Sequence, residues 1–237
     1  MEEKEKMLND IIEELGSLRD DERKEWSGGY YPSSMRIIGI KVPDQREVSR
    51  RVKKRIKKWA PGERLGFAKE LVATDILECQ QVAYEILDRD WKVLEIMTEN
   101  DLMDLAKGLD NWISVDTFSS RISGVLWRMG RVPDESIMEW AASDDRWWRR
   151  TALVSTIALN QRARGGEGDV ERTLMVCEVL ADDKDDMVAK ALSWALRELS
   201  KRHPGPVRDF MDRHDDHLPK RVKREVSRKL ETGKKNG

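Results

Sequence analysis

Cysteine is almost missing from this chain of 237 residues: Cys79 and Cys177 are the only two. Both read as buried free thiols, with no disulfide framework and no paired-cysteine metal spacing. Histidine is nearly as scarce. His203, His214 and His217 fall in a polar C-terminal stretch without a further ligand set, which argues against a metal centre. No apolar run approaches the length of a membrane span. The charged start Met1-Glu2-Glu3-Lys4-Glu5-Lys6 lacks the apolar region of a signal peptide, so a soluble, intracellular, cytoplasmic protein is expected. Strand-type alternation is also rare; only residues 35–42 are ambiguous. An excess of either charge is missing too. The net charge is -1, so the chain as a whole has no general attraction for polyanions.

What the chain has instead is charge of both signs, tryptophan and helix punctuation. Charged residues make up 38% and hydrophobic residues 39%. That is lean for a single compact core and suits an elongated helical array whose helix pairs each keep one face in water. Residues 7–18 read as an amphipathic first helix, and 21–31 as a short second one broken at Gly28-Gly29. Pro43 opens the next helix at a favoured first-turn position, with its end expected at Trp59. Helices over 64–73, 75–88, 101–109 and 115–129 follow. Pro133-Asp134-Glu135 starts another, with acids in the first turn. Ser143-Asp144-Asp145-Arg146 caps a long helix reaching Gln161. Gly165-Gly166-Glu167-Gly168 is a loop, and helices over 169–180, 185–201, 206–213 and 218–230 complete the set.

These helices fall into pairs near the spacing of HEAT-type repeats, about 40 residues. The segment from Asp144 through Trp147, Arg149 and Ala152-Leu153 compares with the one from Asp185 through Val188, Lys190 and Ala191-Leu192. Both show an acidic cap, apolar or aromatic residues, a base and Ala-Leu. The expected fold is all-α: a right-handed HEAT-like solenoid of stacked antiparallel helix pairs with a concave face. It forms one domain over 1–231, and 232–237 form a frayed tail.

The near-zero net charge hides basic stripes. Residues 46–58 carry eight bases and one acid, and 220–235 carry eight bases and two acids. Such runs are either solvated outer helix faces or contacts for nucleic-acid phosphates. Two runs near the two ends of a curved stack favour a groove that holds a duplex.

Asn111-Trp112-Ile113-Ser114-Val115-Asp116 is the most telling stretch. On a helix, Trp112 and Asp116 lie one turn apart on the same face. A large π-surface beside a carboxylate suits a planar cation. Each residue also has a structural reading. Trp112 could simply pack, Asp116 could cap a helix starting at Thr117, and Arg150 could form an ordinary salt bridge between repeats. Trp59, Trp91, Trp127 and Trp140 are expected to be structural; Trp147 and Trp148 face different directions and stay ambiguous.

Four motifs in order carry a resemblance to a known family. They are Tyr30-Tyr31-Pro32-Ser33-Ser34 with Gly39-Ile40-Lys41-Val42-Pro43-Asp44-Gln45-Arg46; Trp112-Ile113-Ser114-Val115-Asp116; Ser143-Asp144-Asp145-Arg146-Trp147-Trp148-Arg149-Arg150; and Lys190-Ala191-Leu192-Ser193-Trp194-Ala195-Leu196-Arg197-Glu198. Together, from about residue 30 to 230, they resemble the AlkD-like DNA alkylation repair family. The resemblance implies a monomeric glycosylase of HEAT-like repeats. It would act on duplex DNA, excise cationic N3- and N7-alkylated purines without flipping them, and need no cofactor. Trp112 and Trp194 match the family's cleft tryptophans, Asp116 its catalytic carboxylate, and Arg150 its phosphate-gripping arginine. Tyr30 matches a tyrosine near the cleft. Lys41 stands where one version of the motif has glutamine, and Arg197, three residues after Trp194, is placed to reach the backbone. The resemblance also implies a nucleoid association if the source is prokaryotic. Two alternatives remain open. One is a non-catalytic HEAT-like module binding damaged or branched DNA. The other is a protein-interaction scaffold, in which the basic runs would be incidental.

Overall fold

Acidic caps and prolines set the helix starts. The computed structural model describes residues 2–234, and among these every regular element is helical. The first helices are α1 (Glu2–Ser17), α2 (Asp21–Tyr30), α3 (Val42–Arg55) and α4 (Pro61–Val72). They are followed by α5 (Leu77–Leu87), α6 (Trp91–Leu94), α7 (Glu99–Leu105) and α8 (Trp112–Phe118). After a π turn, Ser119–Ser123, come α9 (Gly124–Arg128), α10 (Asp134–Ala141), α11 (Arg146–Asn160) and α12 (Val170–Val179). The last are α13 (Asp186–Leu199), α14 (Pro204–Arg213) and α15 (Lys220–Thr232). Asp20, Asp145, Asp169 and Asp185 each accept a first-turn amide as N-caps. Gly233, at φ +71°, closes α15. Residues 235–237 of the expected tail lie outside the described residues.

The chain gathers into two compact units, Met1–Phe118 and Ser119–Gly237. In the first, α5 lies between α3 and α8, and α4 packs across α5, α6 and α7. Val48, Val52 and Ile56 are buried on the α3 side, and Phe67, Leu71, Val82 and Tyr84 in α4 and α5. In the second unit, α11 contacts α13 and α13 contacts α15, while α10, α12 and α14 pack beside them. This is the alternation expected of stacked helix pairs. The caps Asp145 and Asp185 of α11 and α13 stand 40 residues apart in the chain. Along α13, Val188, Ala191, Leu192, Ala195, Leu196 and Leu199 form one fully buried stripe. Each such valine or leucine contributes about 1.5–3 kcal/mol relative to exposure.

The local differences from expectation have physical causes. Helix α2 is not broken at Gly28-Gly29; it continues to Tyr30. Its last turn is held by the Tyr31 amide donating to the Ser27 carbonyl at 2.9 Å, and by ring contacts of Trp26 with Tyr30 and Tyr31. Those contacts outweigh glycine's propensity cost of roughly 1 kcal/mol per residue. Helix α3 stops at Arg55, and a single 3-10 turn, Ile56–Lys58, carries the chain to Trp59. The ambiguous segment 35–42 makes one isolated parallel bridge, Arg36 to Ile76. Among the tryptophans expected to be structural, Trp127 and Trp140 are buried and Trp59 partly so. Trp91 is not: 41% of it is exposed. As the first residue of the four-residue helix α6, it has too little neighbouring structure to cover its ring. Cys79 and Cys177 are buried and free. Burial pushes the Cys79 thiol up to about 11 and the Cys177 thiol higher, so neither is a nucleophile at neutral pH.

Candidate functional site

Helix α8 starts at Trp112, three residues earlier than the sequence pattern suggests, because Asn111 caps it. The Asn111 Oδ1 accepts the Ser114 amide at 3.0 Å, and the Asn111 Nδ2 donates to Ser114 Oγ at 3.2 Å. Gln81 of α5 donates to the same Oγ at 3.4 Å. Asn111 and Ser114 are both buried, so this cap is locked to the core of the first unit. Trp112 and Asp116 therefore both lie within α8, one turn apart, and Asp116 does not cap a helix at Thr117.

Asp110 ties the neighbouring loop to this helix start. Its carboxylate accepts from Ser33 Oγ and the Ser34 amide, each at 2.5 Å, and from Asn111 Nδ2 at 3.2 Å. Burial alone would raise the Asp110 pKa. The hydrogen bonds from Ser33, Ser34 and Asn111 outweigh it and hold the carboxyl below the usual aspartate value.

The rings assemble on that frame. Trp112 Nε1 donates to the Tyr30 carbonyl at 3.3 Å. The Tyr30 and Tyr31 rings meet the Trp112 ring nearly perpendicularly, with centroids 5.3 and 6.1 Å away. Trp26 lies 4.6 Å from Tyr30 and carries the Arg23 guanidinium 4.0 Å over its ring. Tyr31 is buried with Met35 and Leu77, against which Ile37, Trp112 and Ile113 pack. Its hydroxyl donates to Ser27 Oγ at 2.5 Å, and burial raises its pKa. Trp26 and Tyr30, by contrast, are 46% and 54% exposed. They floor an open pocket of about 540 Å3 that Glu22, Glu25 and Gly29 also line. Aromatic faces beside carboxylates attract cations, as the stacked Arg23 illustrates.

Lys41 lies elsewhere. It pairs with Asp20 at 3.2 Å, at the N-terminal end of α2, whereas Tyr30 ends that helix. Ten residues of helix separate the two by roughly 15 Å. Within the same segment, Glu78 is buried and accepts the Ile38 and Gly39 amides at 3.0 and 2.8 Å. Gly39 has φ +87°, and a Cβ there would meet the Lys24 backbone at 2.4 Å, so only glycine fits.

The remaining candidates belong to the second unit. Arg150, on α11, is only 5% exposed and donates through Nη1 to the Met187 carbonyl in the first turn of α13. Trp194, on α13, is partly buried. One turn later, Arg197 donates from Nε to Ser193 Oγ at 3.1 Å and lies 3.6 Å from Glu225 of α15. Burial lowers the Arg197 pKa, while Glu225 and Glu198 oppose that shift. Arg197 is thus already engaged by its neighbours. Trp147 lies under Arg146, and Trp148 stacks obliquely on Trp140 at 5.2 Å.

Trp26 and Asp110 have no place among the residues expected from the sequence, and Asn111, quoted there, has none as a cap. Two signals for them were present: the four-residue spacing of Trp26 and Tyr30, and the cap pattern Asn111-x-x-Ser114. A family model described as DNA alkylation repair enzyme matches residues 11–230. No curated protein matches the chain.

Proposed function

The chain belongs to the family of DNA alkylation repair enzymes, and on that premise we propose that it is a DNA glycosylase. Its substrates are cationic N3- and N7-alkylated purines in duplex DNA, excised by hydrolysis of the N-glycosidic bond without base flipping. The observation that carries the reading is the placement of Trp112 and Asp116 one turn apart on α8, with the indole braced by Tyr30 and Tyr31.

The chemistry asks little more of the protein. As the C1′–N bond breaks, its electron pair goes to the alkylated purine, which leaves as a neutral base. No general acid is needed to protonate it. The deoxyribose left behind gains oxocarbenium character. The Trp112 face stabilises that growing cation, and the Asp116 carboxylate adds electrostatic stabilisation. Asp116 also orients the water that adds to C1′ and takes up its proton, the role of a single carboxylate at a glycosidic centre. Trp194 serves as a second aromatic surface for the sugar. Arg150, with its planar fork, is assigned to a phosphate. Tyr30, Lys41 and Arg197 are assigned to the DNA strand, and the exposed Trp26 and Tyr30 rings suit the lesion's positive charge. HEAT-like repeats, a single domain over 1–231, a concave DNA-binding face and a monomeric state are part of the same proposal. Among the described residues no helix is long and apolar enough to cross a membrane.

The test is base release from duplex DNA carrying N7-methylguanine under single-turnover conditions. Release above the uncatalysed rate is expected. Tight, salt-dependent duplex binding without release would replace this reading with a non-catalytic module for damaged or branched DNA.

A further inference from the structure

We propose that the first unit carries a second binding site, for an unpaired stretch of nucleic acid, in the basic pocket around Trp91. The pocket has a volume of about 740 Å3 and opens where α3 and α5 end. It shares no lining residue with the Trp26–Tyr30 pocket. Leu77, packed in the Tyr31 cluster, and Ile86, in this pocket, sit at opposite ends of α5. Nine residues of helix place them roughly 13 Å apart. The inference goes beyond the glycosylase reading and uses none of its residues.

Three features coincide here. The first is uncompensated charge. The only acid in the lining, Asp90, is held by Arg64 through two hydrogen bonds of 2.7 and 3.0 Å. Lys53 donates to the Asp88 carbonyl, and Arg50 pairs with Glu47. The side chains of Lys54, Lys57, Arg89 and Lys92 form no ion pair or hydrogen bond among the described residues. Four like charges in one concavity repel each other and concentrate anions. The second feature is the exposed indole of Trp91, a ring that folding normally covers. The third is Arg89, whose φ of +59° puts a non-glycine residue in the left-handed region. Strain of that kind gathers at functional positions. Ile56 and Ile86, both 1% exposed, floor the pocket.

An exposed aromatic ring among cations is the arrangement that binds single strands: a base stacks on the ring while phosphates meet the lysines and arginines. An acidic peptide or inorganic phosphate would use the cations and leave Trp91 without a role. A paired duplex keeps its base faces stacked inside and offers none to the indole. A free nucleotide has the same chemistry as one residue of a strand, but a strand also carries further phosphates for the remaining cations.

The experiment measures fluorescence anisotropy of a labelled octathymidylate and of an abasic octamer of equal charge. It uses the full chain, Trp91→Ala, Trp91→Phe and the double variant Lys57→Gln/Lys92→Gln. Trp91→Ala is expected to weaken octathymidylate binding about 5- to 160-fold, the range for one lost base stack, with the abasic octamer unaffected. Trp91→Phe should restore most of the affinity, which separates stacking from misfolding. The double variant should reduce the slope of log affinity against log salt by about 0.7 per charge removed. Equal loss on both octamers, or no loss on either, overturns the proposal. So does displacement of the octamer by thymidine triphosphate at matching concentration, which would assign the pocket to a free nucleotide. Base release from fully paired N7-methylguanine duplex is expected to be unchanged in Trp91→Ala, so the two readings stand or fall separately.

Discussion

Replacing a helical glycine by alanine normally stabilises a protein, yet the same substitution should act with opposite signs at two positions of this chain. Gly66 lies inside α4, and a Cβ built there meets nothing within 4 Å. Gly66→Ala should therefore gain about 0.5–1 kcal/mol, from reduced freedom of the unfolded chain and better helix propensity. Gly124 begins α9, directly after the π turn. A Cβ there would lie 2.2 Å from the Ser155 carbonyl oxygen of α11 and 2.9 Å from the Ser119 carbonyl oxygen. Ordinary contact starts near 3.4 Å, so α9 and α11 must part by about 1 Å, and such overpacking costs about 1–3 kcal/mol. That separation also breaks the buried Ser123–Ser155 hydroxyl hydrogen bond of 2.7 Å, worth about 1 kcal/mol. After the propensity gain, Gly124→Ala should lose roughly 1–3 kcal/mol net. At about 2–4 °C per kcal/mol for a chain of this size, its melting temperature should fall while that of Gly66→Ala rises. Urea unfolding of both variants beside the parent measures this. If both shifted in the same direction, the close approach of α9 to α11 would be refuted.

Two further predictions concern the frame beneath Trp112. Asn111→Ala removes the α8 cap and should cost about 0.5–2 kcal/mol. Asn111→Asp keeps the acceptor and should recover part of that loss; equal unfolding midpoints for Asn111→Ala and the parent would show that the cap does not matter. Asp110 has a folded pKa held below its ordinary value. Its ionised form therefore stabilises the fold above about pH 4, and that contribution is lost as pH falls through the folded pKa. Asp110→Asn should be less stable than the parent at pH 7, with the gap closing below about pH 4; a gap independent of pH would contradict the assigned hydrogen bonds.

Much of this architecture was legible from the chain itself, because its signals are local. Aspartate caps, first-turn prolines and a 3.6-residue apolar stripe such as that of α13 depend on neighbours a few residues away. The i,i+4 relation of Trp112 and Asp116 follows from the same periodicity. The differences from expectation turned on side-chain packing that residue type and spacing do not report. Gly28-Gly29 read as a break, yet the aromatic contacts of Trp26, Tyr30 and Tyr31 hold that turn helical, and the misreading hid Trp26 itself. Trp91 read as buried because tryptophans usually are, but α6 is too short to cover it. The π turn at Ser119–Ser123 leads into Gly124, whose fit against Ser155 lies 31 residues ahead in the chain and leaves no local trace.

In the proposed reaction Asp116 acts in bond cleavage and does not merely hold structure. Single-turnover release of N7-methylguanine from duplex DNA by Asp116→Asn, set beside its duplex affinity, tests it most directly. The expected result is a loss of at least about a hundredfold in rate, the scale for removing a key transition-state electrostatic group, with affinity retained. A variant that releases base at the parental rate would contradict it.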